Sequence, residues 1–497
     1  MCAASRGILW ASLIFALSAP ARGPITLMLP GSDLVHSTRL GQWDSQRLSP
    51  VISPDGRHIA YIALRGQRPC VILDAQAGAG YDDIGNGTLI FSPDGKRLAY
   101  TAKKGDKWIV VVDGAESAEY DGILKGSPIF SPDGRHIEFG AQAQKQQLVV
   151  VDGTPSTPYV GIGEGSTAFS LDGSHLTFAA WNGAKWVAVV DQQAGSEYDG
   201  ISPPVFSADG RRVAYAAQSG SRWVMVVDGK PTEECDGLLP PVFSPDGKSI
   251  AYAARSGDKW RLVVDGQAGE ECDDVLPGFP VFTSRGNHVV AGLRRGERWL
   301  VSVDGKDGAA YEGIGTIVAS PDGTRVAYVA KRGERWVVNV DGVDGERCEG
   351  IGDGSPIFSA DSRHVAYEAE RGGKHWIIVD GQSSPGYDDI LAGSPIFSPD
   401  GRRVAYAARD GDKQFVVVDG KPDAERDGIG LITFSPDSRH IAYSAKDGAK
   451  WMVILDGVAG EGFEGILKGS PSFDDVGLAY LAFRDGVLYR GEGVLGP

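Results

Sequence analysis

An all-β fold built from tandem copies of one short unit is what this sequence predicts, and three observations carry it. A turn string, Phe-Ser-Pro-Asp-Gly or a close variant, recurs at fixed spacing along nearly the whole chain. Each copy is followed by runs in which Val, Tyr and Trp alternate with small residues, the period of a strand packed on one face. Among 497 residues, Gly 69 and Pro 28 break up any long helix, while 42% hydrophobic residues supply a core.

The serine slot of the string falls at Ser53, Ser92, Ser131, Ser170, Ser207, Ser244, Thr283, Ser320, Ser359, Ser398, Ser435 and, degraded, Asp474, with successive slots 37 or 39 residues apart. In one unit, strand a is expected over 204–207, followed by an Ala208-Asp209-Gly210 turn whose glycine supplies positive φ. Strand b follows over 212–217, the Ser219-Gly220-Ser221 turn leads to strand c over 223–227, and Asp228-Gly229 ends it. Strand d is the short 234–236 segment. The two-residue variation in spacing is expected in hairpin loops, because a change of two keeps every side chain on its face. Four antiparallel strands per unit make a propeller blade, and the tandem array makes a β-propeller of twelve short blades.

Strand bookkeeping addresses closure. The triplet Gln42-Trp43-Asp44 stands where other units carry strand d, and the last unit stops after strands b and c, over 478–483 and 487–490. An N-terminal strand that completes the last blade leaves no free edge, which favours a single ring. Two six-bladed rings divided near residue 276 are the alternative. The degraded Thr283-Ser284-Arg285-Gly286 string speaks for the split, and the lack of any linker between Val264 and Asp273 speaks against it. With blades ~10 Å apart, twelve inner strands would lie on a circle of radius roughly 19 Å.

Ahead of the repeats, Arg6, an apolar stretch over 8–19 and a small-x-small Ala19-Pro20-Ala21 site read as a signal peptide over 1–21. The mature chain is expected to begin near Arg22, with a lead-in over 22–38 and the repeat array over 39–497, and to be periplasmic or secreted. No later apolar run reaches membrane-spanning length, so no membrane insertion is expected after cleavage. The net charge of −16 argues against nucleic acid as a partner and favours cationic ones.

Each repeated slot offers candidate chemistry. The most suggestive is a carboxylate column in strand d: Asp82, Asp121, Asp199, Asp236, Asp273, Glu312, Glu349, Asp388, Asp427 and Glu464, broken only by Val160. Such a column could bind cations or a basic partner, or could be a solvated outer strand that resists aggregation. His58, His136, His175, His288, His364 and His440 share a slot with Arg97, Arg212, Arg325 and Arg403, which reads as a surface position; His36 and His375 stand isolated. Trp108, Trp186, Trp223, Trp260, Trp299, Trp336 and Trp451 share one slot in strand c, read as blade packing or hairpin cover, with a ligand-stacking ring as the alternative. Cys235, Cys272 and Cys348 stand where other units have Tyr, as small apolar substitutes, and no disulfide or metal spacing is visible. The turn aspartates are expected to bond their own backbone.

The string Phe-Ser-Pro-Asp-Gly-(Lys/Arg)-x-(Leu/Ile/Val)-Ala-(Tyr/Phe), as at 91–100 and 243–252, resembles the repeat of the TolB-type periplasmic propellers, a WD-like blade also used by the propeller domains of prolyl-oligopeptidase-type peptidases. The resemblance covers nearly the whole mature chain and implies a propeller. The blades are shorter than in that family, and no TolB-like N-terminal α/β domain precedes them. Together these readings predict an exported, monomeric, non-enzymatic scaffold for a protein or another polymer, without a cofactor. The alternatives are a propeller hydrolase or lyase with a shallow site on the ring axis, and a sensor propeller related to the peptidase domains.

Overall fold

The computed structural model describes residues 35–42, 50–285, 287–473 and 477–493, and all their regular structure is strand. Twelve small antiparallel sheets follow one another around one ring, a twelve-bladed β-propeller. Blade 5 shows how the sequence builds a sheet. Strand b (Val213–Ser219) pairs with strand c (Arg222–Val227) across a hairpin whose Gly220 has φ +61°. Strand c ends where Asp228 and Gly229 both turn to positive φ, 51° and 74°, the geometry of a tight hairpin that asparagine, aspartate and glycine tolerate best. Strand a lies on the other side of strand b in two pieces, Gly200–Ile201 and Val205–Phe206. Strand a segments of neighbouring blades touch one another, so strand a lines the channel.

Two expectations are corrected. Strand d is Lys230–Pro231 plus a single bridge from Cys235 to Trp223, and Asp236 lies beyond it as the crossing residue to blade 6. The two-residue variation in repeat length falls inside strand a rather than in the hairpin loops. In blades 8 and 11 the shorter form gives one continuous strand, Gly313–Ala319 and Gly428–Phe434, whereas the longer form bends, as between Gly122–Ile123 and Ile129–Phe130. Blade 5 is also short yet interrupted, because Pro203 and Pro204 cannot donate to the ladder. A change of two still leaves each side chain on its own face.

The blades pack by large against small. In blade 5, Tyr215 and Ala217 face blade 4 and meet Ala188, while Ala216 and Met225 face blade 6 and meet Tyr252 and Val263. The strand-d aromatic adds an edge contact to the next blade, as in Tyr120 on Phe139 with ring centroids 5.6 Å apart. Cys235, Cys272 and Cys348 take this slot elsewhere, and all are buried and free.

The last blade closes the ring. Its strand d is Val35–Gln42, which pairs antiparallel with Val487–Gly493 from Val35 opposite Gly493 to Gln42 opposite Val487. The clasp therefore reaches the predicted partner but starts before the predicted triplet, whose Trp43 and Asp44 lie outside the described residues. It is also longer than other outer strands, because strand c of this blade has no Asp-Gly stop and runs on to Gly493. Across the seam Ile59 and Tyr61 of blade 1 pack on Leu481 and Leu488 of blade 12.

A chain beginning at Arg47 loses this strand. Its thermal unfolding should stay a single transition that moves down as a whole, on the order of 5 °C, because an opened ring is an array of nearest-neighbour contacts. Calorimetry checks this; two transitions of which only one shifts would contradict it.

Candidate functional site

The strand-d carboxylates sit at the blade joints. Asp236 is the one residue between Cys235, paired in blade 5, and Gly237, paired with Arg255 in blade 6. Its N–H donates to the Arg255 carbonyl at 2.8 Å. One carboxylate oxygen takes Arg222 from the start of its own strand c, and the other accepts the Gly257 N–H of the next blade's b–c hairpin at 2.7 Å. The same grip is made by Asp82 on Arg68 and Gly105, Asp121 on Lys107 and Gln144, and Asp199 on Lys185 and Gly220. It continues through Asp273 with Lys259 and Gly296, Glu312 with Arg298 and Gly333, and Glu349 with Arg335 and Gly372. Asp388 holds Lys374 and Gly411, and Asp427 holds Lys413 and Gly448. For Glu464 the backbone half of the pattern holds, its N–H donating to Phe483 at 3.0 Å. The column is thus a ring of clamps between successive blades. Lys374 and the Gly411 N–H together push the Asp388 carboxyl down to about 2. The cation always lies fourteen residues before the carboxylate, a spacing visible in the sequence but not used there.

The histidine slot pins the end of strand c to the start of strand b within each blade. The aspartate ending strand c offers one oxygen to the first N–H of strand b, as Asp74 does to Ile59 at 3.0 Å, and the other to the slot side chain, as Asp74 does to His58 Nδ1 at 2.6 Å. His136, His175, His288, His364 and His440 repeat the pair with Asp152, Asp191, Asp304, Asp380 and Asp456. Where the slot is arginine, the guanidinium also reaches the next blade: Arg97 donates to the Arg135 carbonyl at 2.7 Å and lies 5.3 Å over the Phe130 ring. A slot read as plain surface is therefore a strut.

The Ser-Pro-Asp-Gly turns stack on one another near the channel. Within a turn, Ser92 Oγ donates to Asp94 Oδ1 at 2.6 Å and accepts the Arg97 N–H at 3.0 Å. Gly134 of the next turn lies so close that a Cβ there would come within 3.0 Å of Asp94, which is why the slot is glycine as well as a positive-φ position. The tryptophan slot covers the hairpins: Arg255 lies 5.7 Å over Trp260 and Lys331 5.7 Å over Trp336. Trp108 also lines a cavity of about 750 Å3 between the strand-a bends of blades 2 and 3.

Against this regular background two clefts between blades depart from the repeat. In blade 9, His375 takes the tryptophan slot and its Nδ1 lies 2.7 Å from Glu368 Oε1, so His375 is not isolated as expected. Gly352 makes room, since a Cβ there would meet the Glu368 carboxylate. Burial raises the Glu368 pKa, partly offset by the hydrogen bond from His375. A half-buried carboxylate–imidazole pair of this kind can take up and return a proton. In blade 3, Gln147 replaces the tryptophan, Gly140 stands in strand b, and Glu138 occupies a buried slot held by Ala60, Ala99, Ala214 and Ala251 elsewhere. Glu138 is 1% exposed, neither carboxyl oxygen has a hydrogen-bond partner, and burial pushes its pKa up to about 8. Aligning the repeats slot by slot would have found both sites, because each puts a carboxylate where no other blade has one. No group of three or more His, Cys, Asp or Glu suited to a metal occurs among the described residues.

No protein-family model matches the chain, and no curated protein matches it. Among solved structures it is similar to a eukaryotic initiation factor, at 13% identity and TM-score 0.37 over 74% of this chain and 95% of that one. It is also similar to TolB from Acinetobacter baumannii, at 18% identity and TM-score 0.25 over 50% of this chain and 77% of that one. A third similarity is to the dihydro-heme d1 dehydrogenase NirN in complex with DHE, at 14% identity and TM-score 0.27 over 57% and 72% of the two chains. Likenesses of this size carry no argument about activity.

Glu138 generates a stability test. The unfolded chain releases this proton above about 4.5, while the folded chain keeps it until about 8, so the folded state loses stability as pH rises through that window. Glu138→Ala should therefore be about 3 kcal/mol more stable at pH 7 and should lack this slope. Denaturant unfolding of both proteins at pH 5, 7 and 8.5 measures it, and a variant no more stable than the parent at pH 7 would contradict it.

Proposed function

We propose that this chain is an exported, non-enzymatic ring that binds a protein or another polymer along its inner wall. One observation carries the reading: the strand-a segments and turn strings of five successive blades share one largely apolar cavity wall. A single cavity of about 520 Å3 touches Pro132, Phe169, Leu171, Phe206, Phe243 and Phe282, from blades 3 to 7. Leu171, which replaces the proline of the turn string, is 67% exposed there. The repeated acidic and arginine slots are spent on blade joints and the histidine slot on pairs within each blade, which leaves this wall as the broad surface able to meet a long partner. The net charge of −16 favours a partner carrying positive charge.

Capture from the exported fraction tests it, with the ring as bait beside a Leu171→Asp variant. A partner held by the parent and weakened at least tenfold by the variant supports the reading, and equal capture by both overturns it. Export has its own test: the protein from its native host should begin near Arg22, and an intact Met1 on intracellular protein would end that part of the proposal. The enzyme alternative is favoured by one observation, the Glu368–His375 pair. An activity abolished by His375→Ala in a folded protein would replace the scaffold reading.

A further inference from the structure

The cleft between blades 3 and 4 holds the one described carboxylate, Glu138, that is both fully buried and without a partner. It lies against a cavity of about 220 Å3 formed by the strand-a bends of the two blades. Leu124 and Ile162 give this cavity apolar wall, and Ser127, Gln147 and Thr167 give it polar wall. Across it, Lys125 of blade 3 and Glu164 of blade 4 form an ion pair at 2.9 Å, with side chains 87% and 72% exposed. The chain's own ammonium is therefore engaged at the surface. An ionised Glu138 beside this neutral pair leaves one uncompensated negative charge. A buried charge of that kind is stable only with a counter-charge and hydrogen-bond donors.

We propose that this cleft binds a primary ammonium group carried on a short alkyl stem, with Glu138 as its counter-charge. The ammonium would give its donors to the two Glu138 oxygens, and the stem would lie along Leu124 and Ile162. A cavity of this volume admits a few carbons and excludes a bulky head group. The site stands on Glu138 alone and does not depend on the scaffold reading. The ligand could be a free small amine or a lysine side chain offered by a partner; the chemistry is the same.

Proton bookkeeping gives the site a signature. Without ligand the Glu138 carboxyl, with its pKa pushed up to about 8, carries a proton at neutral pH, and the incoming ammonium releases it to the buffer. Affinity should then rise with pH from 6 to about 8 and level off above it. The other charged groups near Glu138 are Lys125 and Glu164 across the cavity, and the His136–Asp152 pair farther along its own strand.

Titration calorimetry of the full chain decides it, with n-butylamine and Nα-acetyl-lysine amide as ammonium probes and 1-butanol as the neutral control. The expected result is one site per chain for at least one ammonium probe, with proton release in buffers of different ionisation enthalpy, and no binding of the alcohol. Tighter binding of the lysine derivative names a partner's side chain as the source, and tighter binding of butylamine names a free amine. Glu138→Ala restores the residue of most blades and should fold; Glu138→Gln keeps the shape. Each should weaken binding at least tenfold. Absence of binding by both probes, or binding unchanged in either variant with native circular dichroism, overturns the proposal.

Discussion

A sheet as short as one of these blades has two apolar faces and cannot keep either from water alone, so the joint between sheets carries the fold. The chain makes that joint within a single residue. Cys235 still pairs in one blade, Gly237 already pairs in the next, and Asp236 between them binds a cation behind and a hairpin N–H ahead. Such partly exposed ion pairs are individually weak. Repeated around the ring, they set the spacing at which tyrosines on one sheet meet alanines on the next. The arginine struts and the stacked turns hold the same joint at other places along the sheet.

What could be read from the sequence follows from range. The turn string and the strand alternation are local, and they were enough for the blade, the repeat and the closing strand. Strand a was read short because its bend at Ser202-Pro203-Pro204 looks like a loop until both halves are seen to pair with strand b. The acidic column was visible as a column, but its partners lie fourteen residues before and more than twenty after, across a joint that local pattern does not reveal. His375 looked alone for the same reason: Glu368 sits on the neighbouring strand, where Glu370 rather than Glu368 is its direct opposite. Glu138 was missed for a different reason. Its signal is a single departure from a regular column, legible only when one slot is compared across all twelve repeats.

The two irregular clefts occupy equivalent places in a nearly uniform ring. In both, a carboxylate enters strand b on the face toward the next blade, and the tryptophan slot of strand c holds a smaller polar residue, Gln147 or His375. The carboxylates themselves stand two positions apart in the repeat, Glu138 opposite Val151 and Glu368 opposite Ile377. Blade 10 also replaces the tryptophan, with Gln414, yet keeps Ala405 and Ala407 in strand b, so loss of the tryptophan does not by itself bring a carboxylate. At Glu368 the imidazole that stands in the tryptophan slot is the carboxylate's partner, whereas Glu138 has none.

The seam has a consequence in time. Val35 is among the first described residues to be made and Gly493 is the last, yet each is the other's partner. At a synthesis rate of about 5–20 residues per second, the first strand waits on the order of tens of seconds for its mate. Throughout that wait both ends of the growing array present open strand edges, which can pair with a second nascent chain as readily as with each other. Chains emerging side by side on one message would therefore be prone to exchange their first strands and link into open series, and dilution or a holding chaperone at this stage would govern the yield of closed rings.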